Sequence, residues 1–278
     1  MQVILAEFAG ACYGVQRALD MVDSLLEAGT AVTTLGPLIH NPQVVRKLES
    51  QGVRVAEDVD GVDSGTVVIR SHGVTPQVKE RIQEQGLAMA DATCPHVARA
   101  QAAAAVLAQE GCRVLVVGEA GHPEVEGLLA YAKACGAAAD VVLSPDDIPA
   151  DLYEPVGVVV QTTQTKDNLE DILNALEARG ISATVKDTIC SATRKRQKTA
   201  AEVARQVDAM VVLGGKNSSN TTRLSEICSQ SCPRTFHVES AAELSRLDLD
   251  GCKVIGLTAG ASTPEDQIAD ARSILEAL

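Results

Sequence analysis

Apolar and polar positions along this chain fall into blocks that recur three times. After Cys12, the residues Val15, Ala18, Leu19, Val22, Leu25 and Leu26 form one apolar stripe at helical spacing. A short apolar run follows, then a glycine that opens a polar loop. The same parts follow Cys94 and Cys190. The loops read GPLIHN, GEAGHPEV and GGKNSSN, and their first glycines, Gly36, Gly118 and Gly214, each lie 24 residues beyond a cysteine. Fixed offsets of this kind mark an internal repeat. A second helix and strand then lead in each third to another apolar strand and polar loop: VVIRSHGVT, VVVQTTQT and VIGLTAGAST.

A further helix and strand reach the next cysteine through AMADATC and ATVKDTIC. The third repeat lacks such a closing strand, and the N-terminal segment VILAEFAGAC is expected to supply it. Strand and helix signals in alternation imply an α/β protein with mostly parallel sheets. The expected organisation is three pseudo-repeated α/β lobes: residues 13–93, residues 94–189, and residues 190–278 closed by residues 1–12.

Composition changes this picture little. With 46% hydrophobic residues, no Trp and 2% aromatics, the lobe cores must be built from Val, Leu, Ile and Ala. A net charge of −13 opposes nucleic-acid binding, which needs a basic face to neutralise phosphates. The one basic cluster, Arg194, Lys195 and Arg196 with Lys198, suits either an acidic redox partner or a solvated first helical turn. The N-terminal apolar segment contains Glu7 and lacks a basic leader, so no signal peptide is expected. No run approaches the ~18 apolar residues that span a bilayer. A cytoplasmic location is expected, with the eight cysteines as thiols, ligands or catalysts rather than structural disulfides.

Cys12 stands at or just before a helix, Cys94 precedes Pro95, a favoured first helical residue, and Cys190 precedes Ser191, a candidate cap. Helix N-termini stabilise thiolates. A single buried cysteine is most often a small core hydrophobe, but three at equivalent repeat positions can converge on a pseudo-threefold axis, where a shared metal would offset their repulsion. Three ligands fit poorly with structural zinc, which normally takes four, and better with an iron–sulfur cluster that keeps one iron free of protein ligands. Cys228 and Cys232, with His237 nearby, form a weaker metal candidate found in one repeat only. Cys112, Cys135 and Cys252 are expected to be packing or surface thiols.

The polar loops complete the candidate site. They present His40 and His72 in the first lobe, His122, Glu124, Gln161 and Thr162 in the second, and Ser218, Ser219, Asn220 and Ser262 in the third. All follow predicted strand C-termini, where open α/β sheets bind ligands. This set is rich in neutral donors and suits a small oxyanion. Taken singly, a His or Ser in such a loop is usually structural or solvated; the matched positions in three lobes raise the functional reading. Glu124 is the one acid of the set placed to act as a proton source, the alternative being a carboxylate stabilised by a helix N-terminus. That alternative suits Glu126 better.

The motifs LGPLIHN, SHGV, DATCP, GHPEVEG, QTTQT, DTIC-ATRKRQ, KNSSN and TAGAST, in this order across essentially the whole chain, closely resemble those of the 4-hydroxy-3-methylbut-2-enyl diphosphate reductase family. The resemblance implies three α/β lobes around a central 4Fe-4S cluster held by Cys12, Cys94 and Cys190. It implies that His40, His72, Ser218, Ser219, Asn220 and Ser262 hold the diphosphate, with His122 near it. Glu124 would relay protons with Thr162 and Gln161. The implied reaction is reductive dehydroxylation of the allylic diphosphate to isopentenyl and dimethylallyl diphosphate, with electrons from a donor such as ferredoxin or flavodoxin. Two rivals use the same parts differently. An iron–sulfur sensor of a phosphorylated metabolite has no need of Glu124, and a non-redox cluster dehydratase needs no external reductant.

Overall fold

The structure, a computed structural model, describes residues 1–278. Its strands form three four-stranded sheets, all parallel and all of one spatial order. The first is β3 (Arg54–Ala56), β2 (Val32–Leu35), β4 (Thr66–Ile69) and β5 (Ala88–Asp91). The second is β7 (Ala139–Val142), β6 (Arg113–Val117), β8 (Val156–Val160) and β9 (Ala183–Lys186). The third is β11 (Thr235–Val238), β10 (Ala209–Leu213), β12 (Val254–Ala259) and β1 (Gln2–Leu5). Here β1 takes the edge that β5 and β9 occupy in the other sheets, pairing Gln2 with Val254 through Leu5 with Leu257.

The central strands are continuous apolar runs because both faces of each sheet are covered. Successive side chains of β10 divide between two cores. Ala209, Val211 and Leu213 pack with Ile268, Ala271 and Leu275 of α9 (Glu265–Ala277). Met210 and Val212 pack with Ala200 and Val203 of α7 (Ser191–Ala204) and Leu224 of α8 (Ser219–Ser229). In the second sheet, Val114 and Val116 face α4 (Pro95–Gln109) and α5 (Pro123–Ala134), while Leu115 and Val117 face Leu169, Ile172 and Leu176 of α6 (Lys166–Ala178). The first sheet packs Val67 and Ile69 against Ile82 of α3 (Pro76–Glu84). The remaining helices, α1 (Tyr13–Glu27) and α2 (Pro42–Ser50), follow Cys12 and the loop containing His40.

The chain divides into two compact units. One comprises Met1–Gln16, His40–Val44 and Ser191–Leu278 and contains the third sheet; the other comprises Arg17–Ile39 and Val45–Cys190 and contains the first two.

Candidate functional site

The repeat seen in the sequence is a repeat of backbone hydrogen bonds. The N–H groups of Gly36, Gly118 and Gly214 donate to the carbonyls of Ala56, Val142 and Val238 at 2.7, 3.1 and 2.9 Å, fixing the start of each first polar loop. In the second loops the equivalent residues are Ser71, Thr162 and Ala261. Their carbonyls accept the N–H of Cys94, Cys190 and Cys12 at 2.9, 3.0 and 3.0 Å. Each cysteine is therefore tied by its own backbone to the loop that follows the central strand of its sheet, and each opens a helix. Cys94 is the residue before Pro95, the first of α4; Cys12 and Cys190 immediately precede α1 and α7. Ser191 is the first helical residue of α7, not its cap. All three cysteines are of intermediate exposure, whereas Cys112, Cys228, Cys232 and Cys252 are buried and Cys135 is exposed. Half-exposed thiols at equivalent helix starts are a donor set of the type that iron–sulfur clusters take.

Within the larger unit, the loop after β6 leads into α5 and brings four candidates together. His122 caps the helix: its Nδ1 accepts the Glu124 N–H at 3.1 Å, which leaves the ring proton on Nε2. Burial, followed by the charge of Arg70, pulls the His122 pKa down to about 4, so the ring is neutral near pH 7. Its centroid lies 5.6 Å from that of His72, edge to face. Glu124, 2% exposed, accepts the Thr162 N–H on Oε1 at 2.6 Å and the Thr162 hydroxyl on Oε2 at 2.9 Å. These bonds favour the carboxylate, but burial outweighs them, helped by Glu119, and the Glu124 pKa rises to about 7. An acid with such a pKa can both hold and release a proton near neutrality. Through its own carbonyl, Thr162 also receives Cys190, so one residue links the buried acid to a candidate cluster ligand.

Gln161, fully buried, has its amide engaged inside the lobe: Oε1 accepts the Glu119 N–H at 3.0 Å and Nε2 donates to the Thr163 hydroxyl at 3.0 Å. It braces the two loops of its lobe against each other.

In the smaller unit, three loops meet. Asn41, next to His40, donates to the Ser262 carbonyl at 3.0 Å and to Gln267 at 3.1 Å. Its Oδ1 accepts the N–H groups of Gln43 and Val44 at the start of α2. A Cβ on Gly215 would stand 2.7 Å from the His40 carbonyl, so the glycine permits the close approach of that loop. The Ser218 hydroxyl accepts the Thr221 N–H and caps α8, placing Ser219 and Asn220 in its first turn. Asn220 is 5% exposed, and neither atom of its amide has a hydrogen-bond partner. A buried amide left in that state carries a desolvation cost of about 1–3 kcal/mol per group, which a bound polar ligand would relieve.

One expectation from the sequence is revised. Arg196 is not part of a basic surface. It is 4% exposed, and its Nη2 donates to the Gly10 carbonyl at 2.7 Å, holding the segment before Cys12. Cys228 and Cys232 belong to the core of the third sheet, where burial pushes the Cys228 thiol up to about 12, and the His237 Nε2 meets the Gly214 carbonyl at 3.0 Å. Two residues were missed. The Asn-Pro pair starting α2 signalled the capping role of Asn41, but its clamp on Ser262, 221 positions away, had no local signal. Arg70, which acts on His122, is half-buried, its Nε lacks a partner, and its guanidinium lies 2.6 Å from where a Cβ on Gly36 would stand.

Comparison with known proteins bears on the whole chain. The family model described as LytB protein matches residues 3–276. The 4-hydroxy-3-methylbut-2-enyl diphosphate reductase of Trichlorobacter lovleyi is 47% identical over 266 residues, covering 95% of this chain and 94% of the relative. That of Pelobacter propionicus is 46% identical with the same coverage. A solved structure of (E)-4-hydroxy-3-methyl-but-2-enyl diphosphate reductase, described as the terminal enzyme of the non-mevalonate pathway, is 41% identical with a TM-score of 0.73, covering all of both chains. The E-1-hydroxy-2-methyl-but-2-enyl-4-diphosphate reductase of Plasmodium falciparum is 27% identical with a TM-score of 0.91, covering 99% of this chain and 87% of that one. With a family match over nearly its full length and relatives well above 40% identity, the chain belongs to the LytB family of reductases.

Proposed function

We propose that this protein reduces (E)-4-hydroxy-3-methylbut-2-enyl diphosphate to isopentenyl and dimethylallyl diphosphate. The observation that carries the reading is Glu124, a fully buried acid with a pKa near 7, bonded twice to Thr162, in a chain of this family. The balance is one allylic C–O bond broken, two electrons and two protons consumed, and one water released for each product formed.

Cys12, Cys94 and Cys190 are the residues that would hold an iron–sulfur cluster, which supplies Lewis acidity and electrons when bound. His40, His72, Ser218, Ser219, Asn220 and Ser262 would bind the diphosphate. Their chemistry is neutral donation, consistent with the unpartnered buried amide of Asn220 and the start of α8. His122, neutral near pH 7, would donate from Nε2 without adding a titrating charge. Glu124 would hold the proton for the departing hydroxyl, with the Thr162 hydroxyl keeping its carboxyl oriented. Gln161 would contribute by bracing the loops that carry Glu119 and Thr162. An electron-carrier protein of the ferredoxin or flavodoxin class would act as donor, in a cytoplasmic setting. No helix of the chain is long and apolar enough to cross a membrane.

The test is anaerobic turnover of the hydroxylated diphosphate by the reconstituted protein with a chemical reductant. Formation of both five-carbon diphosphates supports the reading. No product from protein with verified iron and sulfide content would sink it and favour a sensor or a non-redox dehydratase.

A further inference from the structure

We propose that the exposed start of α7, together with Phe8 and Tyr13, is the docking face for an electron-donor protein with an acidic surface. This deepens the reductase reading and rests on it. The reaction consumes electrons that its substrate does not supply, so a donor must approach the cysteines closely enough for electron transfer. This face adjoins two of them in sequence: Phe8 and Tyr13 stand four residues before and one after Cys12, and α7 begins immediately after Cys190.

Three independent features single it out. The first is charge in the wrong place for stability. The N-terminal turns of a helix favour acids, and cations there are repelled by the macrodipole. The first turn of α7 carries no acid, and Arg194, Lys195 and Lys198 occupy its first two turns. Arg194 with Lys198 and Lys195 with Lys198 are also like-charged pairs at i,i+4 and i,i+3, spacings at which like charges disfavour a helix. Glu202 offsets Lys198 only loosely, at 3.9 Å with the lysine 77% exposed.

The second feature is aromatic exposure in a chain that has almost no aromatic residues. Of five Phe and Tyr residues, Phe8 (37%) and Tyr13 (71%) are exposed on either side of Cys12. The other exposed one, Tyr153, lies 5.9 Å from the Arg113 guanidinium, whose charge is already paired with Asp140 and Asp151. Aromatic residues exposed beside cations are what transient protein interfaces use as anchors.

The third feature joins the first two: the Lys195 ammonium lies 5.3 Å from the centroid of the Phe8 ring, so the charges and the aromatic form one surface. On a protein of net charge −13, a local positive patch is the one kind of place that an acidic partner approaches without repulsion.

The test compares two donors on the reconstituted holoenzyme: reduced methyl viologen, a small donor that needs no docking face, and a reduced, acidic ferredoxin. The variant is the triple neutralisation Arg194→Gln, Lys195→Gln, Lys198→Gln, with Lys195→Arg, Lys198→Arg as the charge-preserving control. The triple variant should keep viologen-driven turnover within about twofold of wild type, while the KM for ferredoxin rises about tenfold. Rising salt should slow ferredoxin-driven turnover of wild type and leave that of the triple variant nearly flat. The charge-preserving control should behave as wild type. Unchanged ferredoxin kinetics in the triple variant would overturn the proposal, as would an equal loss with both donors, which would mean the face serves substrate or fold. No viologen-driven turnover by wild type with an intact cluster would remove the reductase reading, and the docking face with it.

Discussion

Glu124 is held by opposing forces, and its proton is the measurable consequence. The two bonds from Thr162 favour its ionised form and burial opposes it; burial prevails and the carboxyl titrates near 7 instead of 4.5. The folded state therefore binds a proton that the unfolded chain has released, so the stability linked to this group is complete below about 4.5 and is lost as pH rises through about 7. Urea unfolding of Glu124→Gln at pH 5 and pH 8 should show a smaller fall in stability across that interval than wild type. An identical fall would mean that Glu124 titrates in its ordinary range. The candidate role of Glu124 was legible from GHPEVEG, because an acid two residues beyond a loop histidine is a local pattern. Its burial and its partner Thr162, 38 positions away, are products of folding. The same holds for Arg70, whose effect on His122 depends on loops of two different sheets, distant in sequence, lying close together.

At the scale of elements, each lobe works through junctions where a strand ends in a loop and a helix begins. Gly118 is one such junction. A Cβ there would stand 2.6 Å from the Val125 side chain, 2.8 Å from the Gln161 amide oxygen and 3.0 Å from its Cβ. Gly118→Ala should therefore cost about 1–3 kcal/mol of unfolding free energy through overpacking and shift the loop that carries Glu119. A fully wild-type denaturation midpoint would contradict that packing. Thr162→Val keeps the backbone bond to Glu124 but removes the hydroxyl one. Turnover should fall about 10- to 150-fold, since losing a hydrogen bond to a charged group is worth about 1.5–3 kcal/mol, and the pH at which activity declines should move upward because the carboxylate has lost a donor. Unchanged turnover would leave the hydroxyl without a part. The strands, helix starts and threefold order of these junctions could be read from spacing alone. The inward turn of Arg196 could not: sequence showed a run of three cations, and only the packing of α7 decides which of them faces Gly10.

The whole molecule repeats one backbone arrangement three times, and each copy delivers a cysteine through the same hydrogen bond. Separate replacement of Cys12, Cys94 and Cys190 by Ser should lower iron and sulfide content after anaerobic reconstitution. Replacement of Cys135, or of the core thiols Cys112 and Cys252, should leave it intact. Full iron retention in all three repeat variants would remove the ligand assignment. The repeat made the third sheet legible too, because a missing closing strand in the third copy pointed to β1 at the opposite end of the chain. The proposed reaction of the whole molecule is a reduction for which Glu124 supplies the proton. Its most direct test measures anaerobic product formation from (E)-4-hydroxy-3-methylbut-2-enyl diphosphate by wild type and Glu124→Gln, matched for iron content. Wild type should form both five-carbon diphosphates, and the variant should form them at a rate at least about 10²-fold lower. Equal rates, or no product from the fully loaded wild type, would contradict it.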